Sequence, residues 1–468
     1  MKLSDLWRWD GTVGRGTYAG IGLAGFALKH NLDRMVATAV FHRPWGLFNY
    51  LNPGPKSVTG MDEQNTLFLG TLVALAIPFI WTGVCLTARR LRSTQLPMWL
   101  LVFFFIPLVN LIFFILMALL PPRAEEGEQK APRYRLLDRI IPDHPVGAAL
   151  MAQLLVVPAA LMGVFLSVSG LGRYGWGLFV GLPFSMGLGS VLLFGYHRQR
   201  TLPACLGVAN LSVALLGLAL FAAAMEGVVC LMMAAPLGFI LATLGGLLGW
   251  SIQRRTAMEP GGGLNRAGAS LVGLILSMPA LMGAESLADL EAPVYSVTSS
   301  VIIEAPPERV WPKVIQFNRM PPPREFIFKV GVAYPIQARL EGKGVGAIRR
   351  CVFSTGPFIE PITCWDEPRR LAFSVTSNPD PLQEWTPYRE LHPPHANGYM
   401  VSQGGEFRLV PLEGGRTRLE GTTWYRHGLW PGPYWKWWSD GIIHTIHLRV
   451  LNFIKSEVSG TGSEAHRS

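Results

Sequence analysis

Hydrophobic and polar positions divide this chain near residue 290. Before that point apolar residues run in long blocks; after it they alternate with polar ones. A helix that crosses a bilayer needs about 20 mostly apolar residues. The runs that meet this are Gly16 to Phe41, Thr66 to Thr87, Met98 to Leu120, Val146 to Ser169, Trp176 to Tyr196, Pro203 to Met225, Gly227 to Ser251 and Ala267 to Ala284. The first contains Lys29, His30, Asp33 and Arg34. It either spans with those charges near one end or lies partly at the interface.

From Val294 the period becomes two. YSVTSSVIIEA reads as a strand, ended by Pro306 and Pro307. ERVWPKVIQF follows with Val310, Trp311, Val314 and Phe317 at helical spacing. Six alternating runs come next: VGVAYPIQARLEG, VGAIRRCVFST, FIEPITCWDEP, RRLAFSVTSN, GEFRLVPL and RTRLEGTTWY. Glycine and proline breaks between them read as hairpin turns, at Gly342-Lys343-Gly344, Thr355-Gly356-Pro357, Glu367-Pro368 and Glu413-Gly414-Gly415. Trp435 to Val458 carries Ile443, Ile446, Val450 and Ile454 on one face and predicts a long amphipathic helix.

Composition fits this division. Half of the 468 residues are hydrophobic and 15% are charged, too apolar for an ordinary soluble protein. The net charge is +10, split as +6 before Pro293 and +4 from there on. No polybasic block or nucleic-acid motif accompanies it, so no nucleic-acid partner is expected. Basic residues instead cluster in short loops: Arg89, Arg90 and Arg92; Arg123, Lys130, Arg133, Arg135 and Arg139; Arg198 and Arg200; Arg254, Arg255 and Arg266. The intervening loops hold Arg173 alone, or Glu226 with no base. The positive-inside bias therefore places the basic loops in the cytoplasm. Both flanks of Met98 to Leu120 are basic, so that run is expected to turn back at Pro107 and Asn110 as a hairpin. The last span then runs outward and leaves the C-terminal region extracytoplasmic; a single crossing would reverse this.

Close helix packing is expected in residues 146–285, where GLGS and LGGLLG supply small residues. Cys85, Cys205 and Cys230 lie in apolar runs and read as small buried hydrophobes. Cys351 and Cys364 fall on neighbouring strands, where a disulfide is geometrically open. The first residues lack the charged and apolar regions of a cleavable signal peptide, so insertion through the first span is expected.

Two resemblances follow from these motifs. DGTVGRGTY, LTARRLRSTQLPMWLL and IPLVNLIFFILMALLPP resemble domain-of-unknown-function family 805, the YhaH-like membrane proteins. Arg92 and Ser93 stand where that family usually has His and Asp. VIIEAPPERVWPKVIQF, followed by the strand series, EGGRTRLEGTTWYRHG and a long helix, resembles the SRPBCC or START-like (Bet v 1-like, polyketide cyclase/dehydrase) superfamily. The resemblance implies a helix-grip α+β fold, an antiparallel sheet curved around a long C-terminal helix. It also implies a cavity for an apolar molecule. Some members are cyclases, aromatases or hydrolases, and many only bind. The expected organisation is thus a multi-pass α-helical membrane protein followed by a soluble helix-grip domain. Its segments are a membrane domain at 1–121, a polar basic loop at 122–145, a second helical bundle at 146–285, the START-like domain at 293–459 and a disordered tail at 460–468.

Candidate chemistry lies in two places. Asn378 to Tyr399 is long for a loop and holds Glu384, Trp385, Tyr388, Arg389, His392 and His395, which suits a lid over a cavity mouth. On the last helix His444 and His447 share a face with Asp440. Catalytic candidates are His392, His395, His444, His447 and Asp440. Ligand-binding candidates are Trp385, Tyr388, Arg389, His392, His395, His444, His447 and Trp424. With His392 or His395, the group His444, His447 and Asp440 could complete a metal site. Without a second paired motif the favoured reading is polar residues lining the cavity or hydrogen-bonded to the sheet, and no cofactor is expected. Glu406 with Arg408 and Arg418 with Glu420 read as a charged outer sheet face. Trp430, Tyr434, Trp435, Trp437 and Trp438 suit either a water–lipid interface or packing on the sheet. The expected partners are the lipid bilayer and an apolar small-molecule ligand; the sequence sets no oligomeric state. The reading favoured is a membrane-anchored binding protein rather than an enzyme, with a cyclase- or hydrolase-type enzyme or a ligand-sensing scaffold as alternatives.

Overall fold

A computed structural model of the chain describes residues 6–43, 45–46, 50, 63–94, 96, 98–105, 110, 113–114, 117–118, 140–172, 174–257, 282–286, 292–383 and 400–464. It forms two compact units. One comprises Met1–Leu166, Val180–Met225 and Ala235–Leu281; the other comprises Ser167–Phe179, Glu226–Ala234 and Met282–Ser468.

The first unit is helical: α1 (Arg15–Ala39), α2 (Glu63–Ser93), α3 (Pro145–Phe165), α4 (Leu182–Phe194), α5 (Leu202–Ala222) and α6 (Val228–Ala257), whose first turns belong to the second unit. Among the described residues five stretches are long and apolar enough to cross a membrane: Leu67–Ser93, Pro145–Gly170, Gly177–Phe194, Leu202–Ala222 and Val228–Arg254. The run from Met98 begins as a 3-10 helix, Met98–Phe105. Its expected turn at Pro107, the loop arginines before Ile140 and all of the last span except its final residues lie outside the described residues. The glycine motifs do what their size suggests. A Cβ on Gly187 would fall 2.0 Å from the Ala242 carbonyl, and one on Gly245 would fall 2.1 Å from that of Phe184, so only glycine lets α4 and α6 meet this closely.

The arginines after α2 have a structural task as well as a topological one. Arg90, fully buried, donates to the carbonyls of Met117 (2.7 Å) and Val13 (3.2 Å) and to Ser93 Oγ (2.9 Å). Arg89 reaches the Thr12 carbonyl and Arg92 that of Trp9. Together they fasten the first residues of the chain to the end of α2.

The second unit carries the alternating half of the sequence. Seven strands form one antiparallel sheet: β1 (Val294–Ile303), β2 (Pro335–Glu341), β3 (Ile348–Phe353), β4 (Gly356–Asp366), β5 (Arg370–Ser374), β6 (Met400–Leu412) and β7 (Arg416–His427). Their spatial order is β1-β7-β6-β5-β4-β3-β2. Two short helices, α7 (Pro307–Ile315) and α8 (Phe326–Lys329), lie between β1 and β2, and α9 (Gly432–Glu464) ends the fold. Gly414 and Gly415 both take positive φ, which closes the tight β6–β7 turn between Leu412 and Arg416. Bulges in β2, β4 and β6 add twist to the sheet. It curls far enough that β1 and β2, its two edges, both contact α9. This is the expected helix-grip architecture. The helix continues to Glu464, so the region expected as a tail from 460 is helical at first.

Local sequence explains the central packing. Pro307 opens α7 at its first turn. Val310, Trp311 and Val314 fall on its one buried face, and Trp311 meets Trp365 edge-on at 5.7 Å. Val450, Leu451, Ile454 and Val458 of α9 are buried against this face and against Phe407, Leu409 and Leu419 of the sheet. Each such side chain contributes roughly 1.5–3 kcal/mol through burial. Cys351 and Cys364 are free. The disulfide that the sequence left open does not form, because Cys351 pairs with Phe358 and Cys364 with Ala372, well apart along the sheet.

One buried feature escaped the sequence reading. Arg349 on β3 stands directly opposite Glu360 on β4, and both side chains are buried and ion-paired. The guanidinium also donates to the Ile315 carbonyl (3.2 Å) and lies 5.5–5.8 Å from the rings of Phe317, Phe373 and Phe407. Burial by itself penalises this charge, but Glu360 outweighs the penalty and lifts the Arg349 pKa above its ordinary value. Burial also raises the Glu360 carboxyl, against the pull of Arg349. The two directions oppose each other. The three aromatic faces around the guanidinium favour its charge, and we read the pair as ionised. The single substitution Glu360→Leu leaves that charge unpaired and is expected to destabilise the domain by about 3–5 kcal/mol. Adding Arg349→Met should restore most of the loss. Amide exchange of β3 and β4 in the intact chain measures both; equal loss in the single and double variants would show that the pair is not the cause.

Candidate functional site

Alternation along β1 and β7 sends Val297, Ser299, Thr423, Tyr425 and His427 toward α9. These residues face the first half of the helix, before its apolar stretch at Val450–Val458. On α9 they meet Lys436, Asp440, Ile443, His444 and His447, which recur at three- and four-residue spacing.

The polar members form two groups. In the first, Thr423 Oγ1 lies 2.7 Å from His447 Nε2, His447 Nδ1 lies 3.1 Å from Ser299 Oγ, and Ser299 Oγ lies 2.7 Å from His444 Nδ1. This is one continuous hydrogen-bonded chain. It begins on the sheet and ends on His444, whose side is open to solvent. Burial, with the neighbouring His444, lowers the His447 pKa to about 4, so this ring is neutral near pH 7. A neutral imidazole donates at one nitrogen and accepts at the other, and hydroxyls occupy both positions here. His447 therefore keeps no lone pair for a metal. Among the described residues no three His, Cys, Asp or Glu side chains gather as a metal site.

In the second group the Tyr425 hydroxyl donates to Asp440 Oδ1 at 2.6 Å, and Lys436 pairs with the other carboxylate oxygen. Burial and then the Asp440 hydrogen bond raise the Tyr425 pKa, so it stays a neutral donor. His427, buried to 2% exposure, stacks on Tyr295 at 5.0 Å. Neither of its ring nitrogens has a hydrogen bond of ordinary geometry among the described residues. Burial lowers its pKa, so it too is neutral.

Of the candidates named from sequence, His444 and His447 come together through Ser299. Asp440 sits on the same helix face but serves Tyr425 and Lys436 instead. Trp424 lies on the opposite face of β7 from Thr423 and Tyr425 and points away from α9. Trp385, Tyr388, Arg389, His392 and His395 lie outside the described residues. Sequence reasoning missed Ser299, Thr423, Tyr425 and His427. Their signal was parity, since each occupies the same register as the apolar residues Val297, Leu419 and Ile303. Cys351, also on the inner face, has its thiol pushed up to about 12 by burial and the Glu360 carboxylate, which disfavours a nucleophilic role. The charged outer face is present as expected, with Arg370 and Arg408 on Glu406, and Arg418 on Glu420.

Comparison with known proteins bears on both units. Residues 6–130 match the family model described as Protein of unknown function (DUF805). Solved structures that match the C-terminal region are Bet v 1-like folds. A protein from Nitrosospira multiformis shares 19% identity over 35% of this chain and 96% of its own, at a TM-score of 0.23. Zhui aromatase/cyclase from a Streptomyces species shares 14% over 36% and 94%, at 0.25. A norcoclaurine synthase point mutant from Thalictrum flavum, in complex with a transition-state analogue, shares 11% over 38% and 100%, at 0.25. None of the curated proteins matches the sequence.

The His447 shift sets a pH dependence. Its folded pKa, about 4, is below the unfolded value of about 6.5. The stability that the neutral ring confers is therefore complete above about pH 6.5 and is lost as pH falls toward 4. Between pH 7 and pH 5 the domain is expected to lose about 2 kcal/mol. His447→Gln should flatten that dependence, measured as the pH profile of amide exchange in β1 and β7. An unchanged slope in the variant would remove His447 as the cause.

Proposed function

We propose that the C-terminal domain holds an apolar or lipid-like small molecule between sheet and helix, with the polar end of that molecule on His444. The observation that carries this is the hydrogen-bonded chain Thr423–His447–Ser299–His444. It brings an imidazole to the open edge of a helix-facing surface that is polar here and apolar further along the helix. Buried polar groups orient a ligand, while the apolar residues around them supply binding energy. Trp385, Tyr388, Arg389, His392 and His395, outside the described residues, are proposed as further ligand-binding residues. Binding without chemistry is the favoured reading. The chain could also pass a proton to a bound molecule, so loss of turnover in His444→Ala and His447→Ala would favour an enzyme.

We further propose that this domain lies on the extracytoplasmic side. Two membrane-flanking stretches belong to its compact unit, Ser167–Phe179 and Glu226–Ala234. Within that unit Trp430 N donates to the Tyr174 carbonyl (3.0 Å), Phe179 packs on Trp435 at 4.7 Å, and the Tyr434 hydroxyl donates to the Met233 carbonyl. Val229 joins a cluster with Phe328, Val332, Ile442 and Ile446. These stretches hold the loops poor in lysine and arginine, which the positive-inside bias assigns to the outer side. The aromatic residues at the start of α9, with Trp437 exposed, suit the nearby lipid interface.

A photoreactive diazirine residue placed at position 444 is expected to capture a small-molecule adduct in cells, and one at position 424 none. Capture at both positions alike, or at neither, would overturn the binding proposal. Independently, alkaline phosphatase fused after Ser468 should be active and a fused green fluorescent protein dark. The reverse pattern would place the domain in the cytoplasm.

A further inference from the structure

A second polar site lies in the first unit, on the helix whose charges made it the poorest candidate span. Asp33 on α1 is completely buried. Its Oδ2 accepts from Lys29 Nζ and, at 2.6 Å, from the Tyr50 hydroxyl. Its Oδ1 is buried with no partner among the described residues, and the same holds for His30 Nδ1 one turn away. Such a carboxylate in an apolar setting is costly when incompletely paired, and ionisable groups kept buried in that state commonly mark a site.

The surroundings specify the chemistry. The Tyr50 ring has Phe26 at 5.8 Å, His30 at 5.8 Å and Trp45 at 5.6 Å, and Trp45 continues to Phe68 at 5.5 Å. Among the described residues Lys29 is the cation held on Asp33, and its charge is matched by that carboxylate. Two of the open polar atoms of this cluster can accept hydrogen bonds, the carboxylate oxygen and the imidazole nitrogen in one neutral tautomer, while Trp45 Nε1, also buried without a partner among the described residues, can only donate. Acceptors ringed by aromatic faces suit a cation that carries N–H donors. An anion would find no open donor on Asp33 or at an unprotonated His30 nitrogen, only the Trp45 indole N–H among the described residues of the cluster, and the carboxylate would repel it. The flank of the cluster is apolar and open: Phe26 is half exposed, and Leu23 and Leu28 beside it are more so. A ligand whose remainder is hydrocarbon fits that flank.

We infer that Asp33, His30 and Tyr50 form a site for the primary ammonium headgroup of an aminophospholipid, separate from the C-terminal domain and independent of what that domain binds. The test is native mass spectrometry of the intact protein in detergent, titrated with phosphatidylethanolamine, phosphatidylcholine or phosphatidylglycerol of matched acyl chains. Phosphatidylethanolamine is expected to bind roughly tenfold more tightly than phosphatidylcholine, which lacks N–H donors and cannot make the charge-assisted hydrogen bond. Asp33→Asn should abolish the preference. His30→Phe, which keeps the aromatic wall, should reduce it while circular dichroism stays unchanged. No headgroup preference in the wild type, preference for phosphatidylglycerol, or an unchanged preference in folded Asp33→Asn would each overturn the assignment. Phosphoethanolamine in solution competing as well as the lipid would reassign the site to a soluble amine and overturn the lipid.

Discussion

The second unit depends on one constraint: both edges of its sheet must reach the same helix. An open sheet normally offers two unpaired edges to solvent or to other chains. Here β1 and β2, the two ends of the seven-strand order, both contact α9. That closure requires strong curvature, which the bulges in three strands and the tight glycine turn after β6 supply. It also determines what α9 must look like. Its last half is apolar where the sheet closes fully, at Val450, Leu451, Ile454 and Val458. Its first half is polar where β1 and β7 bring hydroxyls, a phenol and an imidazole against it. The candidate site occupies the part of the grip that apolar packing does not fill.

Buried charge is handled differently in the two units. Arg349 and Glu360 neutralise each other across a strand pair, with aromatic rings closing over them. A pair so enclosed costs desolvation energy and is seldom a net gain over apolar residues of similar size. What it does impose is register, because a one-residue slip of β4 against β3 would leave both charges unmatched. Asp33 in α1 is charge-paired with Lys29 but only half satisfied in hydrogen bonds, with one oxygen bonded and the other open among the described residues. In the first unit Arg90 follows a third pattern, spending its guanidinium on backbone carbonyls and a serine hydroxyl.

Much of this was legible in the sequence. Six of the eight span-length runs became helices, and the seven alternating segments became seven strands, because periods of 3.6 and 2 are direct consequences of which face is buried. The turns at Gly342-Lys343-Gly344 and Glu413-Gly414-Gly415 fell where glycine demanded them. The site was less legible. Residue type drew attention to Trp424, but strand parity puts it on the wrong side, since Thr423 and Tyr425 flank it and face the helix. Parity also held the clue to Arg349, which shares its register with Ala347 and Cys351, and to Glu360, which shares its register with Ile362. Ser299 and Thr423 are ordinary strand residues, and only the three-dimensional approach of His444 and His447 gives them a role. Cys351 and Cys364 stay apart for a related reason, because neighbouring strands do not make neighbouring residues.

The second unit is built from three separated stretches of chain, and this bears on how it can be made. Ser167–Phe179 and Glu226–Ala234 are synthesised well before β1, on either side of helices long enough to span a bilayer. A ribosome delivers them first, and they wait for Phe328, Val332, Ile442 and Ile446 to arrive. A fragment that begins at Met282 contains every strand of the sheet and all of α9, yet it lacks Val229, Met233, Tyr174 and Phe179. The boundary drawn by alternation near residue 290 is therefore a boundary of sequence pattern and not of the folded unit, whose assembly is tied to the insertion of the helices before it.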